Sequence, residues 1–461
     1  MNVARSASVT IQAYPGEAVW FDGSSAATQW TRAGGSWATP FHAHFDHSAS
    51  FTSGSDAGGF VNPAFPMAAH PEQVFVDGVS QRQVADGATP LPGQFSVDPS
   101  AGRLLVGSNP ADHAVRVSDL TQAFVVSGRV TLRGFGVRNY ATSLPQIGTV
   151  YLGGHVGGDR LENLVITQNA TQGLSVGASN TTVTHVTASD NGMTGIHSNH
   201  ARNLVIQNSL ITGNNREHFN DAPAAAGMKI TNGDGIIVRN NVVSANVSVN
   251  GIWTDVSTRN FDIVGNTVRA SGGRFGIITE LSDSGIVAGN VVAGAQYGYT
   301  AFDTGHVKVF NNTFSDNRVW DVGLTQDARR NSDPVTRSAV PWLVRNIQVT
   351  NNVFGVNPMF QFYALDKATH RPASQMRIVV NGNFFRAGRA VMVGWGGGDN
   401  VTVTRFRTPQ SLDSALRVSW RNVLQQTAPA DARTTSMAVP LPADVAAAIG
   451  RTTGTRQFGA S

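Results

Sequence analysis

The chain of 461 residues contains no cysteine, and charged residues make up only 14% of it. Without cysteine there are no disulfides, thiolate ligands or cysteine nucleophiles, so the fold must be stabilised by its core. The formal net charge is +4, and the basic residues neither form a run nor alternate with aromatic residues. This pattern argues against a nucleic-acid partner.

Long apolar segments are also missing. No run of about eighteen apolar residues occurs, so the sequence predicts no membrane-spanning helix and no membrane partner. The segment that starts at Met1 lacks the apolar stretch of a signal peptide. We expect a secreted protein from which the signal peptide has been removed, and a cytosolic protein is the alternative.

The sequence does contain a repeat. One Asn recurs at intervals of 25, 24 and 22 residues, and the series is Asn241, Asn266, Asn290 and Asn312, with Asn208, Asn352 and Asn383 as its extensions. Apolar residues lie three positions before and two positions after each Asn, in runs that alternate apolar and polar residues and are rich in β-branched residues. A period in the twenties is typical of a solenoid, and the alternation indicates strands. The Asn side chains are expected to bond to the backbone and to one another at the turns.

A second phrase alternates with the Asn phrase and begins at Gly227, Gly251 and Gly276. With these two phrases the chain resembles the secreted bacterial right-handed parallel β-helix proteins, the pectate-lyase-like superfamily of glycoside hydrolases, polysaccharide lyases and epimerases. The resemblance covers roughly residues 125–404. It implies an all-β, right-handed parallel β-helix that acts on a polysaccharide or an oligosaccharide.

The motifs of individual branches of this superfamily are absent. The chain lacks the Asn-Thr-Asp, Asp-Asp and Gly-His-Gly of polygalacturonase-like enzymes and the Asp-Pro-His-Asp of alginate epimerases. Trp253-Thr254-Asp255 resembles part of the Trp-x-Asp-His of pectate lyases, but Val256 replaces the His. The resemblance therefore specifies the fold better than the reaction.

The repeat also divides the chain. Residues 1–24 are predicted to form the N-terminal cap and first coil, and residues 25–119, which lose the repeat, a small β insertion packed on the first coils. Residues 120–404 are predicted to form the β-helix. Residues 405–461 are expected to be a C-terminal cap and tail, with a short helix after Pro442.

Strand periodicity places two columns of side chains on the outer face of the Gly-led strands. The first column contains Ser175, His197, Lys229, Trp253, Ile278 and Thr300, and the second contains Gly177, Asn199, Thr231, Asp255, Glu280 and Phe302. Asp255 and Glu280 are therefore expected on neighbouring strands, about 4.8 Å apart at the backbone. Two carboxylates so close should differ in pKa and form an acid and a base, at a spacing that matches retaining glycosidases.

We predict that Asp255 and Glu280 are catalytic and that Lys229 and His218 are further candidates for proton transfer. Trp253 is expected to be an exposed platform for a sugar ring. The other predicted substrate-binding residues are His197, Asn199, Glu217, Gln326, Asp327 and Arg329. Several of these lie in or beside two insertions, 214–225 and 327–343, which are expected to form loops over the same face.

Three functions are compatible with these residues. In a glycoside hydrolase without a cofactor, Asp255 and Glu280 act as acid, base or nucleophile. In a polysaccharide lyase, Lys229 or His218 removes the proton α to a uronate carboxylate, and the two carboxylates hold Ca²⁺. A non-catalytic glycan-binding solenoid needs neither role, since a carboxylate ladder beside Lys229 can also be a solvated face. We expect a hydrolase, as a monomer or a trimer.

A histidine-rich segment in the predicted insertion contains His42, His44 and His47. Two His residues at i and i+2 on a strand share a face, as metal ligands can. However, the segment has no repeated ligand spacing, and His beside Phe often packs at an edge. The sequence therefore favours packing over metal binding.

Overall fold

The computed structural model describes residues 1–3, 8–53, 56–154, 157–270, 272–388, 393–396, 403–426 and 435–460. Short α-helices span Pro409–Leu416 and Ala443–Ala448, the second at the position expected after Pro442, and 3-10 helices span Pro66–Ala69 and Leu144–Gln146. None of the helices in this part of the chain is long and apolar enough to cross a membrane. Almost all the remaining regular structure is β-strand.

One sheet of 13 strands, which we call the front sheet, runs the length of the molecule. Its strands are Asn2–Val3, Phe124–Val126, Val150–Leu152, Gln172–Val176, Thr194–Asn199, Ala226–Thr231, Asn250–Asp255, Phe275–Glu280, Tyr297–Phe302, Trp320–Gln326, Phe360–Asp366, Val393–Gly396 and Val403–Phe406. Neighbours pair in parallel except for the last two strands, which are antiparallel. Parallel neighbours from successive repeats mean that each turn of the chain returns to the same sheet.

The other two faces are rows of parallel strands. One row contains Ser8–Gln12, Arg129–Arg133, Arg160–Thr167, Thr182–Ser189, Val205–Gln207, Asp234–Arg239, Arg259–Val264, Asp283–Ala288, Gly305–Phe310, Gln348–Thr350 and Val379–Asn381. The other contains Trp20–Asp22, Gly136–Arg138, Leu210–Thr212, Val242–Ser244, Thr267–Arg269, Val291–Ala293, Thr313–Ser315, Val353–Phe354, Phe384–Arg386 and Val423–Gln425, and the strands Arg160–Thr167 and Thr182–Ser189 extend across both rows. Three strands per turn make the chain a parallel β-helix.

Apolar side chains from all three faces form one buried cluster inside the helix. The inward residues of the front sheet, such as Ile252, Ile277 and Tyr299, are fully buried in it. The period-two assignment of inward and outward residues is therefore correct in these strands. The outward side chains of the same strands form the outer face of the front sheet.

An Asn ladder runs beside this core. Asn266 Oδ1 accepts hydrogen bonds from the backbone and side-chain N–H groups of Asn241, both at 3.0 Å, and Asn266 Nδ2 donates to Asn290 Oδ1 at 3.0 Å. The same bonds continue from residue to residue through Asn312, Asn352, Asn383 and Asn422. The predicted series was wrong at Asn208, because the neighbouring Ser209 takes that position and bonds to Asn241.

The residues between the first and second coils form two small sheets. One contains Thr31–Ala33, Ser36–Pro40, Arg82–Gln83, Gln94–Asp98 and Arg103–Val106, and the other contains Ser24–Ala26, Val74–Val76, Val79–Ser80 and Val115–Ser118. They share a core of their own around Phe95 and Leu104. A separate apolar cluster joins Phe60 of this insertion to Phe219 and Val249 of the β-helix. This contact holds the insertion against the front of the solenoid.

The two C-terminal α-helices lie at different places on the β-helix. Leu412, in the helix Pro409–Leu416, joins the core cluster and so covers the last coils. The later helix Ala443–Ala448 does not cover the end, because Val445 packs against Val264 and Phe310 on the side of the β-helix.

The Asn ladder predicts a large, specific stability effect. Asn266→Ala should lower the free energy of unfolding by about 3 kcal/mol, because the buried N–H groups of Asn241 lose their acceptor. The adjacent Thr267→Ala, which has a partly exposed side chain, should cost less than about 1 kcal/mol. Thermal or urea unfolding of both variants tests this, and equal losses would show that the ladder contributes nothing special.

Candidate active site

A cavity of approximately 830 Å³ lies on the outer face of the front sheet. Its floor is made by outward side chains of the strands Thr194–Asn199, Ala226–Thr231, Asn250–Asp255 and Phe275–Glu280. The insertion supplies Phe51 and Phe60 to one wall, and the loops that carry Pro223 and Trp342 supply the others. Three separate parts of the chain therefore enclose one patch of the sheet.

The strand register brings the two predicted carboxylates together. Lys229 pairs with Trp253, and Thr231 with Asp255. On the next pair of strands Thr254 lies opposite Thr279, so the residues that follow, Asp255 and Glu280, are neighbours in one column. Both carboxylates line the cavity, although their side chains are only 9% and 12% exposed.

Lys229 balances the charge of Asp255. Its Nζ lies 2.9 Å from Asp255 Oδ2 and also donates to the carbonyl oxygen of Pro223. The second oxygen of Asp255 accepts the backbone N–H of Val256 at 2.8 Å. An ion pair that is this buried needs such additional bonds to be tolerated, and the inserted loop supplies one of them through Pro223.

Arg329 does the same for Glu280. Its Nη1 donates to Glu280 Oε1 at 2.6 Å, and its Nη2 lies 3.0 Å from Asp303 Oδ2. Its Nε lies 2.9 Å from Asp327 Oδ2, and its guanidinium covers the ring of Phe302. One arginine from the second inserted loop thus binds three carboxylates and fixes Glu280.

Burial shifts the pKa values of Glu280 and His197 in opposite directions. Burial, assisted by the charge of Asp255, raises the pKa of Glu280 to about 6, although Arg329 acts in the opposite direction. Burial, with a smaller contribution from the Lys229 charge, lowers the pKa of His197 to about 3. Glu280 can therefore exchange a proton near neutral pH, whereas His197 stays neutral there.

Trp253 lines the cavity, but the expectation that it is exposed was wrong. The residue is only 4% exposed, because the Lys229 ammonium lies 3.4 Å from the centre of its ring and Phe275 and Ile278 pack around it. Its indole N–H is buried and has no hydrogen-bond partner among the described residues. Because its ring is covered and its indole N–H is buried, Trp253 offers a ligand no open ring face.

His218 and Glu217 are not brought to the two carboxylates. They line a separate pocket. There the ring of His218 stacks on that of Phe65, with the ring centres 4.2 Å apart, and Glu217 Oε1 lies 3.0 Å from Arg216 Nε. The predictions that His218 transfers a proton and that Glu217 binds substrate at this site were therefore wrong. The inserted turn folds against the insertion, and only its later residues, around Pro223, reach the cavity.

The remaining predicted residues divide into two groups. His197 and Asn199 line the cavity, and Asn199 Oδ1 accepts the hydroxyl of Thr231 at 2.9 Å. Gln326, in contrast, is fully buried and joins Asp303 to the backbone of the long loop, so the prediction that it binds substrate was wrong. Asp327 bonds to Arg329 and acts on the site through it.

Sequence reasoning missed Asp303 and the contribution of the insertion. Asp303 is fully buried and accepts from Gln326 Nε2 and the backbone N–H of Asp327, both at 2.7 Å, as well as from Arg329. Its position directly after Phe302, at the end of the carboxylate column, is a signal that could have identified it. No such signal identifies Phe51, because it lies where the repeat is lost. The centre of its ring nevertheless lies 5.8 Å from the centre of the His197 ring.

Comparison with known proteins supports the fold. A family model for the right-handed β-helix region matches residues 146–274. The structure of XylC in complex with xylose superimposes with a TM-score of 0.64 at 14% identity, over 91% of this chain and 77% of that chain. The chain is thus confirmed as a right-handed parallel β-helix.

Two epimerase structures are more distant. The A-module of the Azotobacter vinelandii mannuronan C-5 epimerase AlgE6 is 13% identical, with a TM-score of 0.41 over 76% of this chain and 89% of that chain. A double mutant of the periplasmic alginate epimerase AlgG is 12% identical, with a TM-score of 0.45 over 66% and 69% of the two chains. No curated protein matches the sequence.

The Lys229–Asp255 pair predicts a loss of stability when its cation is removed. Lys229→Met should lower the free energy of unfolding by about 3 kcal/mol, because it leaves a buried carboxylate without its counter-charge.

Thermal unfolding at neutral pH measures the effect. The double variant Lys229→Met/Asp255→Asn is the matched control, because its site carries no unpaired charge, and it should recover most of the loss. A deficit that is equal in the single and double variants would contradict the assignment.

Proposed function

We propose that this protein is a retaining glycoside hydrolase in which Asp255 is the nucleophile and Glu280 the acid and base. The observation that carries the proposal is the placement of these two carboxylates side by side in one enclosed cavity, each with a different counter-charge. Neighbouring parallel strands are about 4.8 Å apart, and retaining glycosidases keep their two carboxyl groups about 5 Å apart. Inverting enzymes need more room for a water molecule.

The two environments suggest which carboxylate has which role. Glu280, whose pKa is raised to about 6 by burial and by the charge of Asp255, can hold a proton for the glycosidic oxygen. Asp255 is bound by the Lys229 ammonium and by the N–H of Val256, and we assign to it the attack on the anomeric carbon.

The reaction then has two steps that balance without a cofactor. In the first, Asp255 forms an ester with the anomeric carbon while the proton of Glu280 leaves with the aglycone oxygen. In the second, Glu280 removes a proton from a water molecule, and that water displaces Asp255 from the sugar. The net change is the addition of one water across the glycosidic bond.

The positive charges of the cavity argue for a neutral sugar. Among its described lining residues the permanently basic side chains are Lys229 and Arg329, and each already binds carboxylates. A uronate would have to compete with these partners for a cation. A lyase would also require Ca²⁺ at Asp255 and Glu280, where Lys229 and Arg329 already supply the positive charge.

The shape and polarity of the cavity are suitable for one or a few sugar units. Its volume of approximately 830 Å³ lies within the usual range for small-ligand sites, about 300–1,000 Å³. The polar side chains of Asn199 and Thr231 line the cavity and can bond to sugar hydroxyls. The structurally similar XylC binds xylose, which is consistent with a neutral monosaccharide unit in this protein.

The proposal predicts that Asp255→Asn and Glu280→Gln each lower kcat/KM at least about 1,000-fold on the true glycoside, with the fold intact. The substrate is to be found by mass spectrometry of products from neutral and uronic glycans. Added water supports a hydrolase, and an unsaturated product supports a lyase. If no glycan is cleaved by the wild type, the binding-solenoid alternative is favoured.

Asp262→Asn is the matched control, because this carboxylate lies on the strand Arg259–Val264, in a different face of the β-helix. This variant should keep wild-type activity.

An aryl glycoside with a good leaving group needs little acid assistance. Such a substrate should therefore restore the first step in Glu280→Gln but not in Asp255→Asn. Near wild-type turnover of the true substrate in Asp255→Asn or in Glu280→Gln would refute the assignment of these two residues as catalytic.

The pH dependence gives a further prediction. Because Glu280 must carry its proton at the start, kcat/KM should fall as the pH rises through about 6. Arg329 lowers the pKa of Glu280 by its charge, so Arg329→Ala should move this limb to higher pH. A limb that stays in place or moves to lower pH in the variant would show that another group is the acid.

A further inference from the structure

A second cluster of polar side chains lies in the insertion, away from the two carboxylates. His47, His70 and Glu72 each offer one ligand atom, and these three atoms all lie within 4.8 Å of one another. His47 Nε2 lies 2.7 Å from Glu72 Oε1, and the rings of His47 and His70 are 4.1 Å apart. Two imidazoles and a carboxylate thus converge on one point.

The charges in this cluster are unusual. The Glu72 side chain is only 3% exposed, and its ion-pair partner among the described residues is His47, which has no permanent charge. Gln83 Nε2 donates to its second oxygen at 3.4 Å, the one hydrogen bond to that oxygen in the described part of the chain. A buried carboxylate without a permanent cation is costly unless a positive charge is supplied to it.

One histidine nitrogen in this cluster has no partner. His70 Nδ1 is buried and has no hydrogen-bond partner among the described residues. An imidazole nitrogen in this situation is suited to a metal ion.

We propose that His47, His70 and Glu72 bind a divalent transition-metal ion of the Zn²⁺ class. Two His nitrogens and a Glu oxygen form one of the ligand sets that zinc uses with three protein ligands and an open position. Zinc lies about 2.0–2.2 Å from such atoms, so the hydrogen bond of 2.7 Å between His47 Nε2 and Glu72 Oε1 would be replaced by a bond from each atom to the ion. The 36% exposure of the His47 side chain leaves that position open to solvent.

The ion joins two segments that are far apart in the sequence. His47 precedes Phe51 and Thr52, which line the large cavity, whereas Glu72 leads into the strand Val74–Val76 of the insertion. The metal therefore fixes the cavity wall that contains Phe51 to the sheet of the insertion. His42 and His44, the other histidines of the segment, are exposed and are not part of the cluster.

The proposal is tested by measuring zinc binding with calorimetry and elemental analysis. The protein is prepared without a polyhistidine tag and is first treated with a chelator. We expect one equivalent to bind with a Kd of about 1 µM or lower, and His70→Ala and Glu72→Gln to weaken it at least about 100-fold. His44→Ala, in the same segment, should bind as the wild type does. Glu72→Gln keeps the shape of the side chain, so it tests the site even if His70→Ala fails to fold.

Absence of zinc uptake by the wild type would overturn the proposal, as would equal affinity in Glu72→Gln or an equal loss in His44→Ala. Hydrogen exchange of residues 41–53 tests the joining role separately from any activity. Zinc should slow this exchange in the wild type and leave it unchanged in Glu72→Gln. Stoichiometric binding without slower exchange would refute the fixing of the cavity wall.

Discussion

The stacking of coils at the spacing of paired strands is the constraint on which this molecule depends. Each parallel pair fixes the register of the next, and the Asn ladder holds the turn by bonding both the backbone and the following Asn side chain. A residue type at one position of the repeat therefore recurs as a straight column. Inside the helix such columns are apolar and close-packed. Outside it they bring side chains together that are more than twenty residues apart in the sequence.

This constraint is unfavourable where the column contains acids. Asp255 and Glu280 cannot move apart along the front sheet, and like charges on adjacent strands destabilise a sheet. The chain offsets this with Lys229, from the preceding strand, and Arg329, from a loop. These partners differ in position and in number of contacts, so the two carboxylates have different surroundings. Burial and the neighbouring charge of Asp255 then raise the pKa of Glu280.

The sequence predicted what depends on periodicity and failed where contacts are irregular. The parallel β-helix, the inward residues and the neighbouring positions of Asp255, Glu280 and Lys229 follow from the repeat alone. The burial of Trp253 did not follow, because it depends on the conformation that the Lys229 side chain adopts over the ring. His218 was misplaced because the repeat does not determine how an inserted turn folds, and this turn packs against the insertion through Phe65.

The insertion explains how a regular solenoid acquires an enclosed site. A bare β-helix presents a nearly flat sheet, on which a bound ligand would remain exposed to solvent. Here Phe60 packs with Phe219 and Val249 of the coils, and Phe51 contacts Phe60 and His197 at the edge of the site. One side of the cavity is therefore closed by a segment outside the repeat. The lower dielectric that results from this enclosure raises the pKa of Glu280, so the wall is part of the electrostatics of the site as well as of its shape.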